Sequence, residues 1–139
     1  MLPPTDQYVL NGDTVLDKKS GLTWARCSAG QHWQENKGCT GRISSLKWDA
    51  AMDLSRDGWR VPTLDELKTL LSATCLAPSI NEEVFPGTRA NPRTMGYWSS
   101  TTKGSPLDRY VWVVFFDSGY FAYGNLDSSY SVRLVRSGR

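Results

Sequence analysis

His32 and the three cysteines Cys27, Cys39 and Cys75 are the residues of this chain most suited to covalent or metal chemistry. Together they could formally make a Cys3His zinc site. No Cys-x-x-Cys occurs, however, and the separations match none of the short paired-ligand spacings of zinc proteins. No Ser or Cys stands with His32 in a nucleophile motif, and no Gly-rich phosphate loop is present. The adjacent carboxylates Asp65 and Glu66 fall in the first turn of a helix pattern, where the helix dipole and a capping box account for them. Glu82 and Glu83 read as a solvated loop, with calcium ligation as the lesser option. The expectation is a protein that is not an enzyme, with no catalytic residue, no metal site and no cofactor.

Three cysteines cannot all pair within one chain, so at most one intramolecular disulfide forms. Cys27 and Cys39 are the closer pair and bracket a Gly/Asn/Gln-rich loop, whose closure would stabilise by roughly 3 kcal/mol in the chain-entropy picture. Cys75 follows a helical pattern and reads as a buried free thiol, with an intermolecular bridge left open.

Recognition chemistry is the better prospect, and it concentrates in the last third. In Tyr110 to Asp117 the pleat sets Trp112, Val114 and Phe116 on one face and Val113, Phe115 and Asp117 on the other. With the first face in the core, Val113 and Phe115 are expected to point outward. Beyond Gly119, the segment Tyr120 to Tyr130 is dominated by Tyr, Ser, Gly, Asn and Asp, the mixture of rigid amphipathic rings and adaptable polar groups that binding surfaces use. From Gly104 onward there is no Lys, Glu, Gln or Met, although those types occur 16 times before it. The types that do occur there include Tyr, Asn, Asp, Ser, Phe, Ala, Gly, Val, Leu and Arg, which an AAY codon reaches when its adenines change. Of the six Trp, those at 24, 48, 59, 98 and 112 fall on apolar positions and are expected in the core; Trp33, in the loop between Cys27 and Cys39, is the one most open to exposure, with packing under the loop favoured over a sugar-stacking role.

These side chains need a frame. Tyr8–Leu10, Thr14–Asp17 and Leu22–Trp24 read as strands joined by turns at Asn11-Gly12-Asp13 and Lys18–Gly21. Leu46, Ala50, Ala51 and Leu54 predict a helix from Ser45, stopped at Asp57-Gly58, with Lys47, Asp49, Asp53 and Arg56 on its exposed face. A short strand Trp59–Val61 precedes Pro62. Thr63 and Glu66 have capping-box spacing ahead of the apolar stripe Leu64, Leu67, Leu70 and Leu71, which predicts a second helix. Residues 77–95 form a Pro/Asn/Gly-rich connector anchored by Val84-Phe85. Strand patterns at Tyr97–Ser100, Tyr110–Asp117, Tyr120–Tyr123 and Ser131–Arg136 close the chain. Strands, then helices, then strands predict segregated α+β architecture.

Composition agrees with one binding domain over residues 1–139. The chain is 40% hydrophobic and 12% aromatic, with a net charge of +2. That charge is too small and scattered for phosphate-dominated binding, so no nucleic acid partner is expected. No apolar stretch is long enough to span a membrane. The polar start lacks a signal pattern. Either the protein is made without a leader or one was trimmed, and the abrupt start before the first strand favours trimming.

Gly21-Leu22-Thr23-Trp24, Gly58-Trp59-Arg60-Val61-Pro62-Thr63-Leu64-Asp65-Glu66-Leu67, Ile80-Asn81 with Phe85-Pro86, Tyr97-Trp98-Ser99-Ser100 and Val132-Arg133-Leu134-Val135-Arg136, in this order, resemble the C-terminal domain family of the Legionella collagen-like adhesin. The resemblance implies a C-type lectin-like fold, in which two helices flank a small, mostly antiparallel sheet and the N- and C-terminal strands pair. It is closest to the variable proteins of diversity-generating retroelements, whose surface near the C-terminus is rewritten by adenine-directed mutagenesis. It implies ligand contact by Val113, Phe115, Asp117, Ser118, Tyr120, Ala122, Tyr123, Asn125, Leu126, Asp127, Ser128 and Tyr130, with Asp108, Arg109 and Tyr110 as additions. Trp112, Val114, Phe116, Gly119 and Val132–Arg136 would be the fixed scaffold. The related formylglycine-generating enzymes use a close cysteine pair that this chain lacks, and the Glu-Pro-Asn calcium motif of sugar-binding lectins is also missing. The implied protein is a non-enzymatic, cell-surface receptor domain for a protein ligand, anchored by a segment outside this chain. The alternative is a fixed adhesin that binds sulfated glycans through Arg89, Arg93, Lys103 and Arg109.

Overall fold

The structure, a computed structural model, describes residues 6–71, 80–88, 96–105 and 108–137. Apolar residues alternating with polar ones around tight turns produce a meander of β1 (Tyr8–Asn11), β2 (Thr14–Asp17) and β3 (Leu22–Ala25). Asn11 pairs with Thr14, so the first loop is Gly12-Asp13, and Gly12 adopts the positive φ of 64° that a two-residue hairpin loop demands. Asp17 organises the second turn. Its buried carboxylate accepts hydrogen bonds from Lys19 N at 3.0 Å, Ser20 Oγ at 2.9 Å and Gln7 Nε2 at 3.1 Å, which offset its desolvation. The last strand, β9 (Val135–Ser137), joins β3 antiparallel and completes a sheet ordered β1-β2-β3-β9. The last strand thus pairs with the third, and the first strand, β1, lies at the opposite edge of the sheet rather than beside it.

A hairpin of β4 (His32–Gln34) and β5 (Gly38–Thr40) follows. Cys27 and Cys39 are joined in a disulfide with their Cα atoms 5.4 Å apart. Trp33 is half-buried and packed, as favoured: the Arg26 guanidinium lies 4.2 Å over its ring and Glu35 accepts from its indole N–H at 3.0 Å. Cys75, Arg89 and Arg93 lie outside the described residues.

Both helices are short. α1 covers only Trp48–Met52, not the longer span that the spacing predicts. Leu46 is drawn into a bridge with Tyr130 by backbone hydrogen bonds of 2.9 and 3.0 Å, and its carbonyl also accepts from Trp98 Nε1 at 2.7 Å. Asp57-Gly58 is not a helix stop. It is a tight turn, with φ of 55° and 85°, that closes Arg56 onto Trp59. α2 (Leu64–Lys68) carries the full capping box: Glu66 N donates to Thr63 Oγ1 and Thr63 N donates to Glu66 Oε1. Arg60 grips the same carboxylate with contacts of 2.6 and 2.7 Å and holds it below the usual glutamate range.

Three sheets form where one small sheet was expected. The third, ordered β6-β7-β8, consists of β6 (Gly96–Ser105), β7 (Asp108–Phe115) and β8 (Tyr120–Gly124), all antiparallel. One apolar cluster packs Leu67, Val84, Phe85, Tyr97, Val114 and Phe116 with Trp24. A second packs Trp48, Ala51, Val61, Trp98, Val111, Val113 and Val132. Neighbours in sequence, Tyr97/Trp98 and Val113/Val114, fall in different clusters, so this sheet is buried on both faces along its centre. The segment 130–135 is the seam between the sheets: Trp98 N donates to Ser131 O, Ala29 N to Val132 O and Ala25 N to Leu134 O, at 2.8 to 3.0 Å.

Arg133 pins that seam. Its guanidinium donates to the carbonyls of Arg26 at 2.6 Å and Ala25 at 3.3 Å, and to the hydroxyls of Thr88 at 2.8 Å and Ser28 at 3.3 Å. It lies against the rings of Phe85 and Tyr97 at 4.9 and 5.3 Å. No carboxylate pairs with it among the described residues. Desolvation pulls its affinity for the proton down.

Candidate ligand-binding face

The β7–β8 hairpin leaves the two-faced core as it runs outward, and its aromatic rings emerge with it. Cross-strand pairing sets Trp112 opposite Tyr123 and Val114 opposite Phe121. On that face Trp112 and Tyr123 stack with centroids 4.0 Å apart, Tyr110 meets Tyr123 at 5.4 Å, and Phe121 meets Trp112 at 5.8 Å. Lys68, at the end of α2, sets its ammonium 4.5 Å over the Phe121 ring. Exposures of 46% for Tyr110, 40% for Phe121 and 41% for Tyr123 leave the ladder open to solvent. On the other face Tyr120 is 73% exposed, and Ala122 lies beside it, also exposed.

The structure divides the residues singled out in the sequence. Tyr110, Ser118, Tyr120, Ala122, Tyr123, Asn125 and Asp127 are exposed; Asp117, Leu126, Ser128 and Tyr130 are half-buried. Asn125 Oδ1 accepts from Asp127 N at 2.8 Å and holds the following loop. Arg109 is exposed and extends over the Trp48 ring at 5.6 Å, and Asp108 opens β7 opposite Ser105. Val113 does not fit the expectation. It is 0% exposed and packs with Trp98 and Val132, because the sheet has a second buried face where one solvated face was expected. Phe115 is half-buried for the same reason, with its ring edge-on to Tyr130 at 5.8 Å. Tyr130 in turn packs edge-on against Trp98 at 4.9 Å and works mainly as a core side chain. Trp112, expected in the core, is half-buried instead, and Trp59 is half-buried under the Arg136 guanidinium at 4.6 Å.

The family model for the Lcl C-terminal domain matches residues 13–136, which takes in β2 to β8, the helices and the start of β9 and leaves out β1. The chain belongs to the Lcl C-terminal domain family. Membership makes it an adhesin-like, surface-associated domain of bacterial type. No curated protein and no solved structure matches the chain.

In this family member the sequence reading missed Phe121. Pairing finds it only once the turn length is known: the loop takes the four residues 116–119 and sets Phe115 opposite Tyr120, which makes Phe121 the cross-strand neighbour of Val114, whereas the expected turn at Ser118-Gly119 would set Tyr123 there. Gly124 is the floor on the other face. A Cβ there would meet Val113 Cγ2 at 2.5 Å and Trp98 at 3.1 Å, so the strand ends on the one residue that permits the close approach.

Proposed function

We propose that the exposed surface of the β7–β8 hairpin and the loop after it bind protein ligands, and that its residues are diversified as in the variable proteins of diversity-generating retroelements. The observation that carries this reading is segregation. Of the large hydrophobics exposed among the described residues, Val9 and Leu10 lie on β1 and the other four, Tyr110, Tyr120, Phe121 and Tyr123, lie on this one hairpin. Clustered exposed aromatics mark interaction sites. They stand on a sheet whose centre is packed on both faces, so the outer positions can change while the frame stays folded. A C-type lectin-like fold belongs to the same proposal and is supported by the β3–β9 pairing and the two short helices. Val113 drops out of the contact set because it is buried.

Sulfated glycan binding gains less support. Lys103 pairs across the sheet with Tyr110 and Gly104 with Arg109, so Lys103 and Arg109 project from opposite faces. The test is the coding DNA: a near-identical copy of the region for residues 108–139, beside a reverse transcriptase gene, should differ at adenines. The differences should fall at the codons of Asp117, Ser118, Tyr120, Ala122, Tyr123, Asn125 and Asp127. The lack of such a copy, or differences centred on buried codons, would overturn diversification and leave a fixed adhesin.

A further inference from the structure

A strand at the margin of a sheet leaves alternate main-chain N–H and C=O groups without partners, and folded chains cover such edges, blunt them or use them. The two larger sheets have four edges, β1 and β9 on one and β6 and β8 on the other. Arg60 closes the β9 edge through reciprocal bonds with Val135 of 2.9 and 3.0 Å. The β6 edge is held by Ser131, which accepts from Trp98 N and donates to Gly96 O, and by Pro62 O, which accepts from Ser100 N. The β8 edge is open: among the described residues, no main-chain group of residues 120–123 bonds to anything beyond β7. It is not blunted either. β8 carries no charged residue and no proline, and its register with β7 runs through five pairs without a bulge. Residues 120–123 are all exposed. β1 is the other uncovered edge, but it lies outside the span that the family model matches and on the other sheet from the exposed tyrosines.

We infer that the protein partner docks as an added strand, through an extended segment that pairs with β8 and lengthens the order β6-β7-β8 by one. This rests on the ligand-binding reading above and names how the partner is held. Unpaired N–H and C=O groups that alternate along an edge are complementary to another extended main chain, and an edge without charge favours an uncharged segment of β-branched and aromatic residues. Alternate side chains of the added strand meet Phe121 and Tyr123 on one face of the sheet, and Tyr120 and Ala122 on the other. This mode suits a surface whose residues change. Main-chain bonds do not depend on which side chain each β8 position carries, so the docking persists while the flanking side chains choose the segment.

The test is a titration of the isotope-labelled full chain, followed by NMR, with the capped peptide Thr-Val-Thr-Tyr-Thr-Val and two doubly N-methylated isomers of it. Methylation removes an N–H and puts a methyl group on the edge that it faced. One isomer is methylated on its third and fifth residues, which share an edge, and so keeps the other edge intact; the second is methylated on its third and fourth residues, which blocks both. The expected result is saturable shifts of the amides of residues 120–123 with the parent peptide and with the same-edge isomer, and binding about tenfold weaker for the isomer blocked on both edges. Contacts through side chains alone would not separate the two isomers. Equal binding by both, no saturable shift at residues 120–123, or shifts confined to β1 would overturn the inference. Every arm uses the wild-type chain, so no variant has to fold. Failure here would leave the broader reading intact if the DNA copy is found, with side chains as the only contacts. Success here without the copy would keep strand docking and remove only diversification.

Discussion

Tyr97 and Tyr120 are the same residue type on the same three-stranded sheet, and the chain uses them in opposite ways. Tyr97 is buried, with its hydroxyl 2.5 Å from Ser28 Oγ and its ring edge-on to Phe116 and beside the Arg133 guanidinium. Tyr120 stands almost free in solvent at the far end of the hairpin. Around Tyr97, long-range hydrogen bonds tie the seam to the first sheet and to the Val84-Phe85 connector; around Tyr120, contacts are ring against ring or local to the turn. The difference separates a frame that sequence change would break from a surface that sequence change would retune.

Breaking the frame should give the largest effect. Arg133→Met removes donors from two buried carbonyls and two hydroxyls, and should cost on the order of 3 kcal/mol in chemical denaturation. Next comes Val113→Ala, at about 2 kcal/mol, since it hollows out the cluster shared with Trp98 and Val132. Gly124→Ala should cost about 1 to 3 kcal/mol by overpacking, although it lies only one residue from exposed Tyr123.

Glu66→Gln should cost about 1 kcal/mol, as the Arg60 pair is partly solvent-exposed and the capping bonds are partly kept. Arg60 and the cap hold the folded Glu66 carboxyl below its unfolded value. Its contribution is therefore complete above the ordinary glutamate range, near about pH 4.3, and fades as the pH falls through the lower folded value. Melting curves of wild type and Glu66→Gln should converge on acidification. A gap that widened would contradict the assignment. The smallest effect belongs to Tyr120→Ala, expected within about 0.5 kcal/mol of wild type; a loss comparable to that of Val113→Ala would place Tyr120 in the frame.

The same division explains what the sequence discloses. The meander, the capping box at Thr63 and Glu66 and the Val84-Phe85 anchor rest on neighbours a few residues apart, and they are legible from spacing alone; the β7–β8 turn is not, because it takes residues 116–119 where the spacing reads Ser118-Gly119 alone. Leu46 is not: its helical periodicity is overridden by Tyr130, far away in sequence. Nor is the burial of Val113. An apolar run such as Val111 to Phe116 fits a strand with one solvated face or with two covered faces, and only the second cluster decides between them. Arg133 is the extreme case, since a charged residue in a strand pattern reads as surface until four distant partners converge on it. On the candidate face, the exposed tyrosines follow from composition, whereas Phe121 emerges only once the hairpin register is known.

The central claim is that the hairpin surface can change while the frame holds, and one unfolding experiment tests it directly. The variant Tyr110→Ser, Ser118→Asn, Tyr120→Ser, Ala122→Ser should be compared with the single change Val113→Ala by melting temperature and denaturant midpoint. The account predicts that the four exposed changes together destabilise less than the one buried change. A fourfold variant that loses more stability than Val113→Ala, or fails to fold, would show that the surface and the frame are not separable.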